Sequence, residues 1–157
     1  GLLEEARPAV RERGLTLLHA NLAAAGAPTY TAEEQAFARG LQAATGKAQV
    51  GMAPALPPLG RIAVDPPGGS TDVGDVSQVA PTLHFSVATA PKGVPWHAWP
   101  VVAASGASIG HKGMVTAATV LAATAADLLP DAPTREALRA EWAAKTRGKP
   151  FRWLVPD

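Results

Sequence analysis

Apolar residues recur at helical spacing near the start of the chain and again after residue 110, and the stretch between follows a different rule. In "RERGLTLLHANLAAAG", Leu15, Leu18 and Leu22 share one stripe, and Gly26 followed by Pro28 supplies a stop, so a first helix ends there. In "TAEEQAFARGLQAATG", Thr31 and Glu34 have capping-box spacing. The Thr hydroxyl and the Glu carboxylate each satisfy a free N–H, Phe37 and Leu41 lie on one face below them, and Gly46 closes a second helix. After the middle stretch, Met114, Ala118, Leu121, Ala125 and Leu128 form a stripe that predicts a helix from about Lys112 to Leu129. Its many alanines imply close packing against a sheet. A last helix over about Thr134–Thr146 is amphipathic through Leu138 and Trp142, with Glu141 and Lys145 placed as an i,i+4 pair.

From Ala48 to Gly110 the only charged side chains are Arg61, Asp65, Asp72, Asp75 and Lys92, and prolines become frequent. The runs "RIAV", "LHFSVAT" and "WPVVAAS" between Gly/Pro breaks read as short strands, and the tail "FRWLVPD" as an edge strand. Sparse charge implies that much of this region is buried or lines a cavity, because unpaired ionised groups are costly to bury. The expected fold class is therefore α/β, a short mixed sheet flanked by helices. The chain opens on a helix with no strand before it, which suggests a later piece of a longer polypeptide.

Composition narrows the function classes. The chain has 157 residues, 47% hydrophobic and 17% charged, enough for one core. A net charge of +1 without a basic cluster gives no footprint for nucleic acid or an anionic membrane. No apolar run approaches the roughly 20 residues of a membrane span, and "GLLEEARPAV" lacks the character of a signal peptide, so a soluble, cytoplasmic protein is expected. The absence of cysteine removes thiolate nucleophiles and Cys-type zinc sites, leaving His and carboxylates as metal ligands.

Of the four histidines, His19 reads as a surface or boundary residue of a helix and His84 as a structural residue of a strand. His97, in "GVPWHAWPVV", lies between Trp96 and Trp99 in a loop leading to an expected strand. Aromatic walls suit a metal ligand and plain packing equally. His111, in "SIGHKGM", falls at the expected start of the alanine-rich helix, where the dipole favours the neutral ring that a metal requires; a solvent-facing helix-start residue is the competing reading. In "GGSTDVGDVS", Asp72 and Asp75 fit the first turn of a short helix capped by Ser70 or Thr71. Phosphate-loop and HExxH motifs do not occur, so no complete active site can be assembled from motifs.

The segments "GAPTYTAEEQAFARGLQAATG", "GGSTDVGDVSQVAPT", "APKGVPWHAWPVVAASGASIGHKGM" and "AATVLAATAADLL", in that order, resemble the C-terminal third of amidohydrolases of the p-aminobenzoyl-glutamate hydrolase kind, in its B-type subunit. That group is part of the two-metal aminoacylase and carboxypeptidase superfamily. The resemblance implies that residues 1–157 are the C-terminal, post-lid portion of a metallopeptidase catalytic domain. The lid and dimerisation domain and the N-terminal catalytic half would lie outside it. It implies two divalent ions, zinc or manganese, activating a water for attack on the amide of an N-acyl or p-aminobenzoyl amino acid. All metal ligands but the last, and the general base, come from the earlier half in such enzymes. This chain would thus supply at most one ligand, with no catalytic base of its own.

By position in the superfamily that ligand is His97, with His111 as its rival. Ser70, Thr71 and Asp72, which resemble the "GGTD" of related carboxypeptidases, would shape the substrate end of the cleft. The implied partners are a small amide substrate, the missing catalytic half with its lid, and a second copy in a homodimer. The alternative is a catalytically silent binding domain that docks with a partner polypeptide.

Overall fold

The computed structural model describes residues 13–56 and 73–146. Among them are six helices: α1 (Arg13–Ala25), α2 (Ala32–Ala44), α3 (Val73–Val79), α4 (Trp99–Ser105), α5 (Ser108–Leu128) and α6 (Ala132–Thr146). The described residues divide into two compact units, the first holding 13–20, 73–84 and 124–146 and the second 21–56 and 85–123.

The helix boundaries follow the chain's own chemistry. Gly26 adopts φ 69° and bonds back to Leu22, ending α1 as expected. The capping box of α2 is present: Thr31 Oγ1 accepts from Glu34 N at 3.2 Å, and Glu34 accepts from Thr31 N at 2.7 Å. At its other end the N–H groups of Gly46 and Lys47 reach the carbonyls of Ala43 and Gln42, with Gly46 at φ 65°, a Schellman closure. The sixth helix starts two residues before the expected Thr134. Asp131 accepts from Thr134 N at 3.0 Å, and Pro133 is tolerated in a first turn, where its missing N–H has no intrahelical partner to lose. The expected Glu141–Lys145 pair forms at 3.1 Å.

The α/β expectation is overturned: among the described residues there is no strand and no sheet. "RIAV" and "FRWLVPD" lie outside those residues. "LHFSVAT" is irregular, and "WPVVAAS" is helix α4. The Val pair in α4 carried the strand reading, but burial follows a helical period, with Pro100 and Ala104 inside and Val102 out. Pro100 in the first turn suits a helix start, since φ is preset and no hydrogen bond is lost.

The irregular backbone around residue 51 is held by side chains. Gln35 donates to Met52 O at 2.9 Å and accepts from Met52 N at 2.8 Å. Gln42, fully buried, accepts from Gly51 N at 2.8 Å and donates to Lys92 O at 3.1 Å. Two glutamines on one face of α2 thus satisfy backbone groups that a neighbouring strand would otherwise take. Gly51 suits this position by its φ of 72°, and a Cβ there would also displace the Gln35 amide, whose Oε1 would lie 2.2 Å away.

The core of the second unit is Ala38 and Leu41 of α2, Met52, Val94, Ala104 of α4 and Ile109 of α5. In the first unit Leu138 packs against Leu83 and Leu128, and the Trp142 indole N–H donates to Ser77 O at 2.8 Å. The amphipathic reading of the last helix through Leu138 and Trp142 therefore holds. The stripe expected to be buried on α5 does not behave so. Met114 and Leu121 are 61% and 58% exposed, while Ile109, Gly113, Val120 and Thr124 form the buried side.

Candidate functional site

The two predicted ligand histidines both lie in the second unit. The loop carrying His97 is pinned by neighbours buried on either side. Pro91 and Val94 are buried, Lys92 O is held by Gln42, and Val94 N turns back to Pro91 O at 3.5 Å. Ala98 then begins α4, its carbonyl accepting from Val101 N at 3.1 Å. Between these anchors Trp96 and His97 form a turn that projects outward. His97 adopts φ 58°, the only positive φ among the described non-glycine residues. A non-glycine residue in the left-handed region is uncommon, though less so for His, and such conformations concentrate at functional sites. Its ring is exposed, as are Trp96 and Trp99, so the aromatic walls expected around it stand open.

The segment "SIGHKGM" becomes legible residue by residue. Ser108 opens α5, and Ile109 is completely buried. A Cβ on Gly110 would meet Ala104 O at 2.6 Å, and one on Gly113 would meet Ala88 O at 2.5 Å, so these glycines let α5 lie directly on other backbone. The Lys112 ammonium donates to Glu34 at 2.6 Å and to Thr29 O at 2.9 Å, and sits 5.6 Å from the centre of the Tyr30 ring. Hydrogen bonds from Lys112, then Ser108 and the Thr31 backbone, hold the Glu34 carboxyl down to about 2. Burial, with the nearby Glu34 charge, raises the Tyr30 hydroxyl. A shallow cavity of about 240 Å³ lies at the same place, lined by Glu33, Glu34, Phe37, Ala107 and Ser108. His111 is left facing solvent in the first turn of α5.

An 87-residue stretch, 55% of the chain, is 36% identical to a curated protein of Escherichia coli (strain K12). The chain is similar to the B-type subunit of p-aminobenzoyl-glutamate hydrolase. The relation expected from sequence is thereby borne out. The match spans only 18% of the length of that hydrolase subunit. No family model matches the chain, and no solved structure does.

Ser70, Thr71 and Asp72, the expected cleft residues, lie outside the described residues. Asp75 is exposed in the first turn of α3, where the sequence placed it, and the expected caps Ser70 and Thr71 lie outside the described residues. Among the described residues no three His, Asp or Glu side chains gather as a metal-holding group. A two-metal centre therefore does not fit these residues by themselves, whereas an exposed imidazole on a pinned turn is suited to give one ligand to a centre completed elsewhere. The Glu34–Lys112 tie and the Gln35 and Gln42 clamps were missed from sequence. Both glutamines fall on the Ala38–Leu41 face of α2, and polar residues on a buried face were the available signal. Nothing in the sequence links Glu34 to Lys112.

Proposed function

We propose that this chain is the C-terminal portion of the catalytic domain of a metal-dependent amidohydrolase that cleaves N-acyl or p-aminobenzoyl amino acids, p-aminobenzoyl-glutamate being the substrate to test first. The observation that carries the reading is the 36% identity over 55% of the chain to the B-type subunit of p-aminobenzoyl-glutamate hydrolase. The pinned, outward turn of His97 supports its assignment as the one ligand from this chain. When bound, two divalent ions of the zinc or manganese type would acidify a water and polarise the amide carbonyl. His97 would present a ring nitrogen at the edge of that centre, and Gln42, Pro91 and Val94 would hold it there. In this reading Ser70, Thr71 and Asp72 line the substrate end of the cleft. The rest of the catalytic domain and a lid complete it, the assembled enzyme is a homodimer, and it works in the cytoplasm.

A second reading, a silent domain that docks on a partner polypeptide, is favoured by one observation. Met114, Val115 and Leu121 stand 61%, 59% and 58% exposed on a helix whose sequence carries no charge from Gly113 to Ala126. The experiment that separates the two is release of p-aminobenzoate from p-aminobenzoyl-glutamate by the metal-loaded full-length protein. Chelator-sensitive hydrolysis supports the amidohydrolase, and a protein that hydrolyses no N-acyl amino acid supports the docking domain.

A further inference from the structure

Trp96 and Trp99 are 70% and 57% exposed and stand on either side of His97 in sequence, Trp96 in its turn and Trp99 at the start of α4. Trp has the largest apolar surface of any residue and is highly buried on average, so two left open beside one imidazole call for something that covers them. The third described tryptophan, Trp142, is part-buried with its N–H satisfied. The turn is not loose, because Val94 is buried ahead of it, and Pro100 and Ala104 anchor α4 behind it. Val102, 73% exposed and three residues after Trp99, prolongs the apolar strip along the outer side of α4.

The ligand chemistry that fits is an aromatic acyl group. In an N-aroyl amino acid the ring is bonded directly to the carbonyl carbon of the scissile amide. A residue placed at the reacting end therefore has its chain neighbours within one side chain of the ring. Flat indole faces prefer an aryl ring, which stacks in offset or edge-to-face geometry, over a methyl or short alkyl group, which gains only the area it buries. We propose that Trp96 and Trp99 form the aryl-recognition surface of the site, and that they set its preference for N-aroyl over N-alkanoyl amino acids. This rests on the amidohydrolase reading with His97 at the reacting end.

The test uses titration calorimetry on the chelator-treated full-length protein with two ligands, p-aminobenzoyl-glutamate and N-acetyl-glutamate, so that binding is read without turnover. The wild type is expected to prefer the aroyl ligand. Trp96→Ala and Trp99→Ala should each reduce that preference about tenfold, and Trp→Phe at either position should keep most of it. The same selectivity is then read as the ratio of kcat/KM for the two substrates in the metal-loaded protein, which should fall in parallel. The proposal is overturned if the wild type shows no aroyl preference, if both Ala variants retain it, or if the two ligands weaken equally. Failure of the parent reading is separate: it appears as no hydrolysis of either substrate, with the calorimetric comparison still deciding the role of the two tryptophans.

Discussion

Gln42 links the second unit's core to the His97 turn, so replacing it with the similarly sized Leu tests whether a side-chain clamp substitutes for a sheet. The amide makes three bonds: it accepts from Gly51 N at 2.8 Å, and donates to Lys92 O at 3.1 Å and Gly51 O at 3.4 Å. Leucine removes all three and takes from the buried Gly51 N–H the acceptor it has in the wild type, a loss of roughly 1–3 kcal/mol. Lys92 O is part-buried and partly rehydrates, which puts it near the low end of that range, about 1 kcal/mol. The leucine side chain recovers some of this through apolar burial, so the expected net cost is on the order of 2–3 kcal/mol.

With a urea m value of roughly 2 kcal/mol/M, the unfolding midpoint should fall by about 1–1.5 M. Hydrogen exchange supplies a local readout, since the Gly51 amide should be protected in the wild type and exchange much faster in Gln42→Leu. The reasoning fails if the variant costs less than about 0.5 kcal/mol, the level of an ordinary surface change, and leaves Gly51 protected.

Glycines on two helices should respond in opposite directions. Gly113→Ala drives a Cβ into Ala88 O and should destabilise by about 1–3 kcal/mol, whereas Gly40→Ala meets nothing within 4 Å inside α2 and should stabilise by about 0.5–1 kcal/mol. Thermal unfolding of the pair checks this, and equal shifts would contradict the close approach of α5. The Glu34 carboxyl, lowered from 4.5 to about 2 by Lys112 and Ser108, stabilises the fold fully above about 4.5 and loses that contribution as pH falls toward 2. The stability difference between wild type and Glu34→Gln should therefore be largest near neutrality and shrink through that acid window. A difference independent of pH from 7 to 2 would argue against the Lys112 pair.

Local rules were the legible part of the sequence. The Gly26 stop, the Thr31–Glu34 box, the Gly46 closure and the Leu138–Trp142 face are each determined by residues within a turn or two, and each is present as read. The errors arose where distant residues decide. "WPVVAAS" has β-branched residues but folds as a helix, because Pro100 and Ala104 bury on one side. The α5 stripe through Met114 and Leu121 has the right period and the wrong phase, since Gly110 and Gly113 turn the opposite side of the helix inward. Small residues inform through what they admit, which a count of apolar positions does not weigh. His97 lies in a turn that leads into helix α4 instead of the expected strand, and His111 lies in the first turn of α5, which starts at Ser108 instead of about Lys112. The pinned backbone that gives His97 its direction depends on Gln42, fifty residues before Lys92.

The central claim is that His97 is this chain's ligand to a metal centre of an amidohydrolase. It is tested most directly by metal content and p-aminobenzoyl-glutamate hydrolysis in the full-length protein, with His97→Ala and His111→Ala prepared in parallel. The account predicts that His97→Ala loses metal and nearly all turnover, while His111→Ala, which removes an exposed ring, retains both. Full metal occupancy and activity in His97→Ala would contradict it.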